Sequence, residues 1–166
     1  MNRLIISLIL LALSFPSISN GPKTHCGDRE EVFFSCPIYR SEKTVSLCGE
    51  KGADGTLQWV QYRFGVVGRA EMVFPSERDG SLTKFAGLRQ VSRAVNYELL
   101  EIWFGVGAFD YLIEHSADCE EECQGSNSLT VFKRGHSVAK FSCSQPVVNN
   151  LWGLLPSISD DQSSRP

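Results

Sequence analysis

The sequence has few histidines, no glycine-rich phosphate loop and no excess of positive charge. The 3 histidines, His25, His115 and His136, are scattered and lack carboxylates at metal-ligand spacing, so no metal site is predicted. No phosphate loop or dinucleotide fingerprint occurs either, so no cofactor is predicted. The formal net charge is −3 at pH 7. An acidic chain is a poor nucleic-acid binder, because phosphate contacts dominate that affinity, whereas a basic protein partner suits it.

Long apolar runs are lacking except at the N-terminus. Arg3 precedes an apolar run at residues 4–13, and Ser17 and Ser19 then place small residues at the −3 and −1 positions of a cleavage site. This order is typical of a secretory signal peptide, whereas a membrane span needs ~20 apolar residues. We therefore predict a signal peptide at 1–19, a secreted or periplasmic location and no membrane association.

Cysteine is the one reactive residue type that is well represented. There are 6 cysteines, all after the predicted cleavage site, and they fit an oxidising compartment better than a zinc site. Sequence alone does not fix their pairing. The preferred pair joins neighbouring arms of a predicted hairpin, the second is local, and the third follows by elimination. In that order, the expected disulfides are Cys36–Cys48, Cys119–Cys123 and Cys26–Cys143.

Short β-branched and aromatic runs alternate with turn signals along the chain. There is no convincing amphipathic helix and no fixed-period repeat, so we predict an all-β, disulfide-stabilised antiparallel sandwich or small barrel of about seven or eight strands. This single domain should cover residues 20–156, with 157–166 as a flexible tail. Residues 76–95 are predicted to be a loop-rich crossing. Strands are expected near 31–36, 43–49, 56–64, 70–74, 97–104, 108–116, 129–134 and 137–143.

The central hairpin is predicted between residues 97–104 and 108–116, with Gly105 and Gly107 in the turn. Pairing Phe104 with Phe109 makes one face wholly apolar, and burial is the best guide to register. The opposite face is a mixed aromatic and acidic surface, which is either a binding surface or an ordinary half-covered sheet face. This face contains Tyr97, Leu99, Glu101, Trp103, Asp110, Leu112 and Glu114.

Catalytic patterns are weak. Residues 135–139 read G-x-S-x-A, one residue away from a nucleophile elbow, but that motif needs a strand-turn-helix context and here lies at a predicted hairpin turn. Glu101 and Asp110 are expected to be diagonal neighbours, and paired carboxylates can transfer protons, although on an exposed face they usually mark the solvated side. The acidic run at 118–122 is similarly typical of a solvated loop. We predict that the protein is not an enzyme.

Three segments resemble the hairpins of small secreted bacterial β-proteins related to the periplasmic lysozyme inhibitors. The segments are 33–49 (FFSCPIYRSEKTVSLCG), 57–75 (LQWVQYRFGVVGRAEMVFP) and 97–116 (YELLEIWFGVGAFDYLIEHS). The resemblance implies a β-sandwich, often a homodimer, that inserts a loop into the acidic cleft of a lysozyme. In those inhibitors the loop carries a serine-glycine segment followed by a tyrosine. Ser92 and Tyr97 correspond to these residues, and the glycine is missing.

The first functional hypothesis is therefore an inhibitor of a lysozyme-type cell-wall hydrolase, with a basic lysozyme-like protein as its partner. Arg93 suits a carboxylate-lined cleft because its guanidinium can pair in a bidentate way. This hypothesis predicts a compact loop that projects beyond the sheet. The expected partner-binding residues are Ser92, Arg93, Asn96, Tyr97, Gly105 and Gly107.

The second hypothesis is a non-catalytic periplasmic or extracellular binding or structural module. Here a mixed aromatic sheet face around Trp59, Tyr97 and Trp103 binds a small ligand or a partner strand. Ligand binding predicts a concave pocket lined by aromatic residues.

Overall fold

The computed structural model describes residues 21–118 and 124–166. Within these residues the chain forms two antiparallel sheets of five strands each, which confirms the β-sandwich prediction. Four short 3-10 turns at Ser81–Lys84, Leu151–Gly153, Leu155–Ser157 and Gln162–Ser164 complete the described structure. The strands are β1 (Glu31–Pro37), β2 (Lys43–Lys51), β3 (Leu57–Val66), β4 (Arg69–Phe74), β5 (Ala86–Ser92), β6 (Tyr97–Val106), β7 (Phe109–Asp118), β8 (Gln124–Lys133), β9 (His136–Ser142) and β10 (Val148–Asn149).

The strand order is simple. The first sheet is ordered β10-β1-β2-β3-β4, and the second is the continuous meander β5-β6-β7-β8-β9. Two strands were not predicted. β5 lies in the segment expected to be a loop. Its sequence, AGLRQVS, shows no clear strand pattern, and the strand is defined by its pairing with β6. β10 is a two-residue strand that closes the β1 edge.

For the central hairpin, the predicted faces are confirmed and the predicted register is wrong. Phe104 pairs with Tyr111 and Val106 with Phe109, so the register differs from the predicted one by two residues. Because side chains alternate with period 2, a two-residue shift leaves every residue on its predicted face. The strands continue past Gly105, and Gly107, at φ 62°, begins the tighter turn that this register needs.

The core between the sheets contains a cluster of aromatic rings. The Phe104 ring stacks between Phe74 and Tyr111, with both centroid distances 5.0 Å. Tyr62 meets the Phe104 ring at 4.9 Å, and Phe85 meets it at 5.1 Å. Offset and tilted ring contacts of this kind add about 0.5–1.5 kcal/mol each beyond area burial. This cluster fixes how the first sheet sits on β6 and β7.

The two terminal segments cover the outer faces of the sheets. Residues 21–30 lie on the first sheet, where the Arg63 guanidinium donates to the Glu30 carboxylate at 2.9 Å. The C-terminal residues lie on the second sheet, where Trp103 Nε1 donates to Ser164 Oγ at 3.0 Å and Arg165 Nη2 to Glu101 Oε1 at 2.6 Å. Residues 157–166, predicted to be a flexible tail, therefore pack against the domain.

Among the described residues the disulfides are Cys26–Cys48 and Cys36–Cys143, so the predicted pairs Cys36–Cys48 and Cys26–Cys143 are wrong. Cys36 pairs in register with Val45, whereas Cys48 pairs with Val32. The two cysteines are thus out of register, and they point to opposite faces of the sheet: Cys36 into the core, and Cys48 outward beneath the N-terminal segment. The predicted Cys119–Cys123 pair and the predicted signal peptide lie outside the described residues.

Candidate functional site

An apolar cleft of about 350 Å³ opens between the two sheets. It lies where β3 and β4 of the first sheet face β7, β8 and β9 of the second sheet. The first sheet contributes Tyr62, Phe64 and Met72, and the second contributes Phe109, Tyr111, Leu129, Val131, Val138, Ala139 and Phe141. The Phe64 and Phe141 rings face each other across it, with centroids 6.2 Å apart.

The cleft follows from the inward-facing side chains of each strand. Residues at i and i+2 share a face, so the core rows continue outward along every strand. On β8 the inward row is Leu129, Val131 and Lys133, and on β2 it ends at Lys43. Lys133 Nζ lies 5.1 Å from the centre of the Phe109 ring, and Lys43 Nζ lies 5.3 Å from that of Phe64. Both rings line the cleft, so its rim carries ammonium groups.

Two tyrosines, Tyr62 and Tyr111, are among the residues that line the cleft. Burial raises the pKa of Tyr62 far above its usual range, and the neighbouring Tyr111 raises it further. Burial also raises the pKa of Tyr111. Both phenols therefore stay protonated and uncharged at physiological pH. Their rings lie 5.9 Å apart between centroids.

The predicted partner-binding residues occupy two separate places. Ser92 and Tyr97 pair with each other at the base of the β5–β6 turn, and Arg93 and Asn96 are exposed in that turn. The turn is a hairpin connection and not a long projecting loop. Asn96 has φ 46°, a left-handed conformation that asparagine tolerates.

Gly105 and Gly107 lie at the opposite end of β6. The strand has 10 residues, so about 30 Å separates the two sets. The structure thus brings Ser92, Arg93, Asn96 and Tyr97 together and leaves both glycines away from them.

The predicted aromatic face does not exist as one surface. Trp59 belongs to the first sheet and Trp103 to the second, and they are only 6% and 2% exposed. Trp59 Nε1 donates to Glu50 at 3.2 Å, and the Arg78 guanidinium lies 4.0 Å above its ring. Trp103 lies beneath the C-terminal segment. The sequence pattern missed this because it does not show that the chain ends fold back over both sheets.

The candidate acid-base and metal groups have structural partners. Glu101 pairs in register with Glu114 and not with Asp110, and its buried carboxylate is bound by Arg165. Cys26, Cys48 and Glu30 place ligand atoms within 4.8 Å of one another, but the two sulfurs form a disulfide and therefore offer no thiolates.

The serine motif at residues 135–139 lies in the β8–β9 hairpin. It lacks the strand-turn-helix geometry that exposes a nucleophile.

The cleft itself was missed by sequence reasoning, since its walls come from strands of both sheets and no local motif marks it. The available signal was an inward-facing row that ends in lysine, as on β2 and β8. Comparison of the chain with protein-family models, curated proteins and solved structures finds no match. Within the described residues, no helix is long and apolar enough to cross a membrane.

Proposed function

We propose that this is a non-catalytic binding protein of the secreted or periplasmic space, which holds a small apolar ligand in the cleft between its sheets. The observation that carries the proposal is the cleft itself. Its volume of about 350 Å³ falls within the range of roughly 300–1,000 Å³ that is typical of ligand pockets. Aromatic and aliphatic walls with a few polar groups are also the usual composition of such sites.

The exposure of the cleft lining supports a ligand. Val138 is 55% exposed and Phe109 is 36% exposed, although both lie on the sandwich's own cleft. Covering apolar surface stabilises by about 25 cal/mol per Å². A ligand that fills the cleft removes this surface from water without any rearrangement of the strands. The cleft is therefore a preformed site for an apolar ligand.

An exported location is supported by two features. The order of charged, apolar and small residues at 1–19 is that of a signal peptide. The two disulfides, Cys26–Cys48 and Cys36–Cys143, form and persist in oxidising compartments.

The test is binding of the neutral fluorescent probe N-phenyl-1-naphthylamine, whose emission rises in apolar surroundings. Ala139 lies on the cleft wall, so Ala139→Trp should fill the space and weaken probe binding at least tenfold. Val91 is 50% exposed and lies on β5, outside the cleft. Val91→Trp is therefore the matched control and should leave binding unchanged. A probe that fails to bind the folded protein, or binds both variants like the wild type, would refute the proposal.

Inhibition of a lysozyme-type hydrolase is a second candidate, and one observation favours it. The β5–β6 turn is exposed at the end of the second sheet, with Arg93 at the surface and Val95 53% exposed. An exposed arginine beside an apolar residue is a suitable anchor for a carboxylate-lined cleft. This surface is distinct from the apolar cleft, so the two functions can be tested independently.

A further inference from the structure

We infer that the ligand of the cleft is an anionic single-chain amphiphile, with its alkyl chain between the sheets and its carboxylate bound by Lys133 at the rim. This inference rests on the proposed function and adds the chemistry of the ligand. It depends on where the charged groups of the rim lie and on which of them already have partners.

Lys133 is placed by the strand geometry. It pairs directly with Phe109 across β7 and β8, on the face that continues the cleft wall through Tyr111 and Val131. Its Nζ lies 5.1 Å from the centre of the Phe109 ring, a distance at which the ring face attracts the cation. An alkyl chain that follows this wall outward therefore arrives at an ammonium group.

The second rim lysine is already engaged. Lys43 Nζ forms an ion pair with Glu71 at 2.7 Å, and both side chains are about 40% exposed or more. Lys133 forms no ion pair with a carboxylate in the part of the chain that the structure describes. Of the two lysines beside cleft rings, Lys133 is therefore the one with charge available for a ligand, and Lys43 contributes only to the local potential.

The charge around the cleft has the opposite sign to the whole chain. The segments that border it, at 66–72, 109–111 and 129–139, contain three lysines or arginines, namely Arg69, Lys133 and Arg134. The acids of the same segments are Glu71 and Asp110. The chain as a whole carries −3. A local positive rim on an acidic protein favours an anionic head group over a neutral or cationic one.

The inside of the cleft explains why the charged head group of the ligand should lie at the rim. Its walls are apolar except for the hydroxyls of Tyr62 and Tyr111, and burial holds both phenols in the neutral form by raising the pKa. A carboxylate buried there would lack a cation, which is costly. The charged head group is therefore favoured at the rim and the chain inside.

The experiment compares three amphiphiles of equal chain length: dodecanoate and dodecyltrimethylammonium below their micelle concentrations, and dodecanol below its solubility limit. Each displaces the naphthylamine probe from the full mature chain. Dodecanoate should bind at least tenfold more tightly than dodecanol, and the cation should bind most weakly. Lys133→Gln should remove the preference for dodecanoate while leaving the dodecanol affinity unchanged. Lys140→Gln removes the same charge from the neighbouring strand and should preserve the preference.

Each other outcome refutes the inference in a recognisable way. Equal affinities for dodecanoate and dodecanol in the wild type would refute the preference for an anionic ligand but would still support an apolar binding site. If Lys133→Gln still prefers dodecanoate, Lys133 is not the residue that binds the head group. Sedimentation with phosphatidylglycerol vesicles, together with no binding of monomeric dodecanoate, would assign this face to a membrane surface instead. If no amphiphile and no probe binds, the proposed function fails as well.

Discussion

Glu101 shows at the scale of a single residue why the segment around Arg165 lies on the second sheet. Its carboxylate is fully buried on the outer side of the second sheet, 0% exposed. Arg165 reaches one oxygen at 2.6 Å, and the other oxygen, Oε2, has no hydrogen-bond partner among the described residues. A buried carboxylate without a cation is strongly unfavourable. Arg165 therefore helps to hold the C-terminal segment against β6, together with the hydrogen bond between Trp103 and Ser164.

Removing the Arg165 side chain should destabilise the fold. We expect Arg165→Gln to lower the free energy of unfolding by about 1–3 kcal/mol, because a buried carboxylate loses its cation. The lower part of that range is the better expectation, since the Arg165 side chain is itself 44% exposed. Urea denaturation measures the change. Arg93→Gln, in an exposed turn, is the control and should stay within about 0.5 kcal/mol of the wild type.

The double variant tests whether the pair is the cause. In Glu101→Gln the buried charge is gone, so adding Arg165→Gln to it should have little further effect. Equal losses from Arg165→Gln in both backgrounds would show that the arginine acts by packing alone.

Glu30 makes the stability depend on pH. Burial by itself raises the pKa of Glu30, but the hydrogen bond from Arg63, the Gly27 amide and the attraction of Arg63 and Arg78 outweigh it, so the pKa is lowered. A carboxyl whose folded pKa lies below its unfolded one contributes stability above the unfolded value. That contribution is lost as the pH falls through the folded value.

Glu30→Gln should therefore destabilise the protein at pH 7 and flatten its acid unfolding curve. The difference in unfolding free energy from the wild type should shrink as the pH falls below about 4. Denaturation at a series of pH values tests this. Glu42→Gln, an exposed glutamate in the β1–β2 turn, is the control. A constant difference between Glu30→Gln and the wild type across the series would contradict the assignment.

At the scale of elements, the two disulfides link different parts of the fold. Cys36–Cys143 spans 107 residues and joins the end of β1 to the residue after β9, linking the two sheets. Cys26–Cys48 spans 22 residues and fastens the N-terminal segment to β2. In the chain-entropy model a longer closed loop gives more stability, ~4.7 kcal/mol for about 100 residues against ~3 kcal/mol for a short one.

Replacing both cysteines of the longer link by alanine should therefore destabilise the protein more than replacing Cys26 and Cys48. Urea unfolding of the two double variants gives the comparison. Non-reducing peptide mapping first confirms that the remaining link is unchanged in each. A larger loss from the Cys26–Cys48 variant would show that packing of the N-terminal segment on the outer face matters more than cross-linking the sheets.

The central hairpin shows what the sequence was able to predict. Alternation of apolar residues determined the inner faces of β6 and β7, because burial of one face constrains each side chain. It did not determine the register, since a two-residue shift keeps the same face buried. β5 escaped prediction for a related reason: the pattern of Ala86–Ser92 is weak, and its order comes from pairing with β6.

The disulfides and the cleft depended on information that local patterns do not hold. Cys36 and Cys143 meet because Ile38 and Cys143 bridge between the sheets. The cleft likewise depends on how one sheet is placed on the other. The segment that contains Arg93 was predicted to be a loop, but β5 extends to Ser92 and only residues 93–96 connect it to β6. Gly105 and Gly107 lie near the hairpin turn at the other end of β6, as predicted, and therefore lie away from Arg93.

At the scale of the whole molecule, the two candidate surfaces lie far apart. The apolar cleft includes Phe109 and Tyr111 at one end of the central hairpin, and the β5–β6 turn lies at the other. Tyr97 pairs with Asp118 at that second end. A strand of 10 residues separates the two surfaces, which corresponds to about 30 Å. A variant at one surface therefore leaves the other intact.

This separation makes the inhibitor hypothesis testable against the cleft. If the protein inhibits a lysozyme, Arg93→Ala combined with Tyr97→Ala should weaken inhibition at least tenfold, about 1.4 kcal/mol, because an arginine and a tyrosine are typical anchors of an interface. Ala139→Trp should leave inhibition unchanged, since it alters only the cleft.

Raising the salt concentration should slow association of the acidic protein with a basic enzyme, because salt screens long-range attraction. If lysozymes of several types keep full activity with the wild-type protein, the inhibitor hypothesis fails while the cleft proposal is untouched. Inhibition that is lost in Ala139→Trp and kept in the double variant would instead place the enzyme on the cleft.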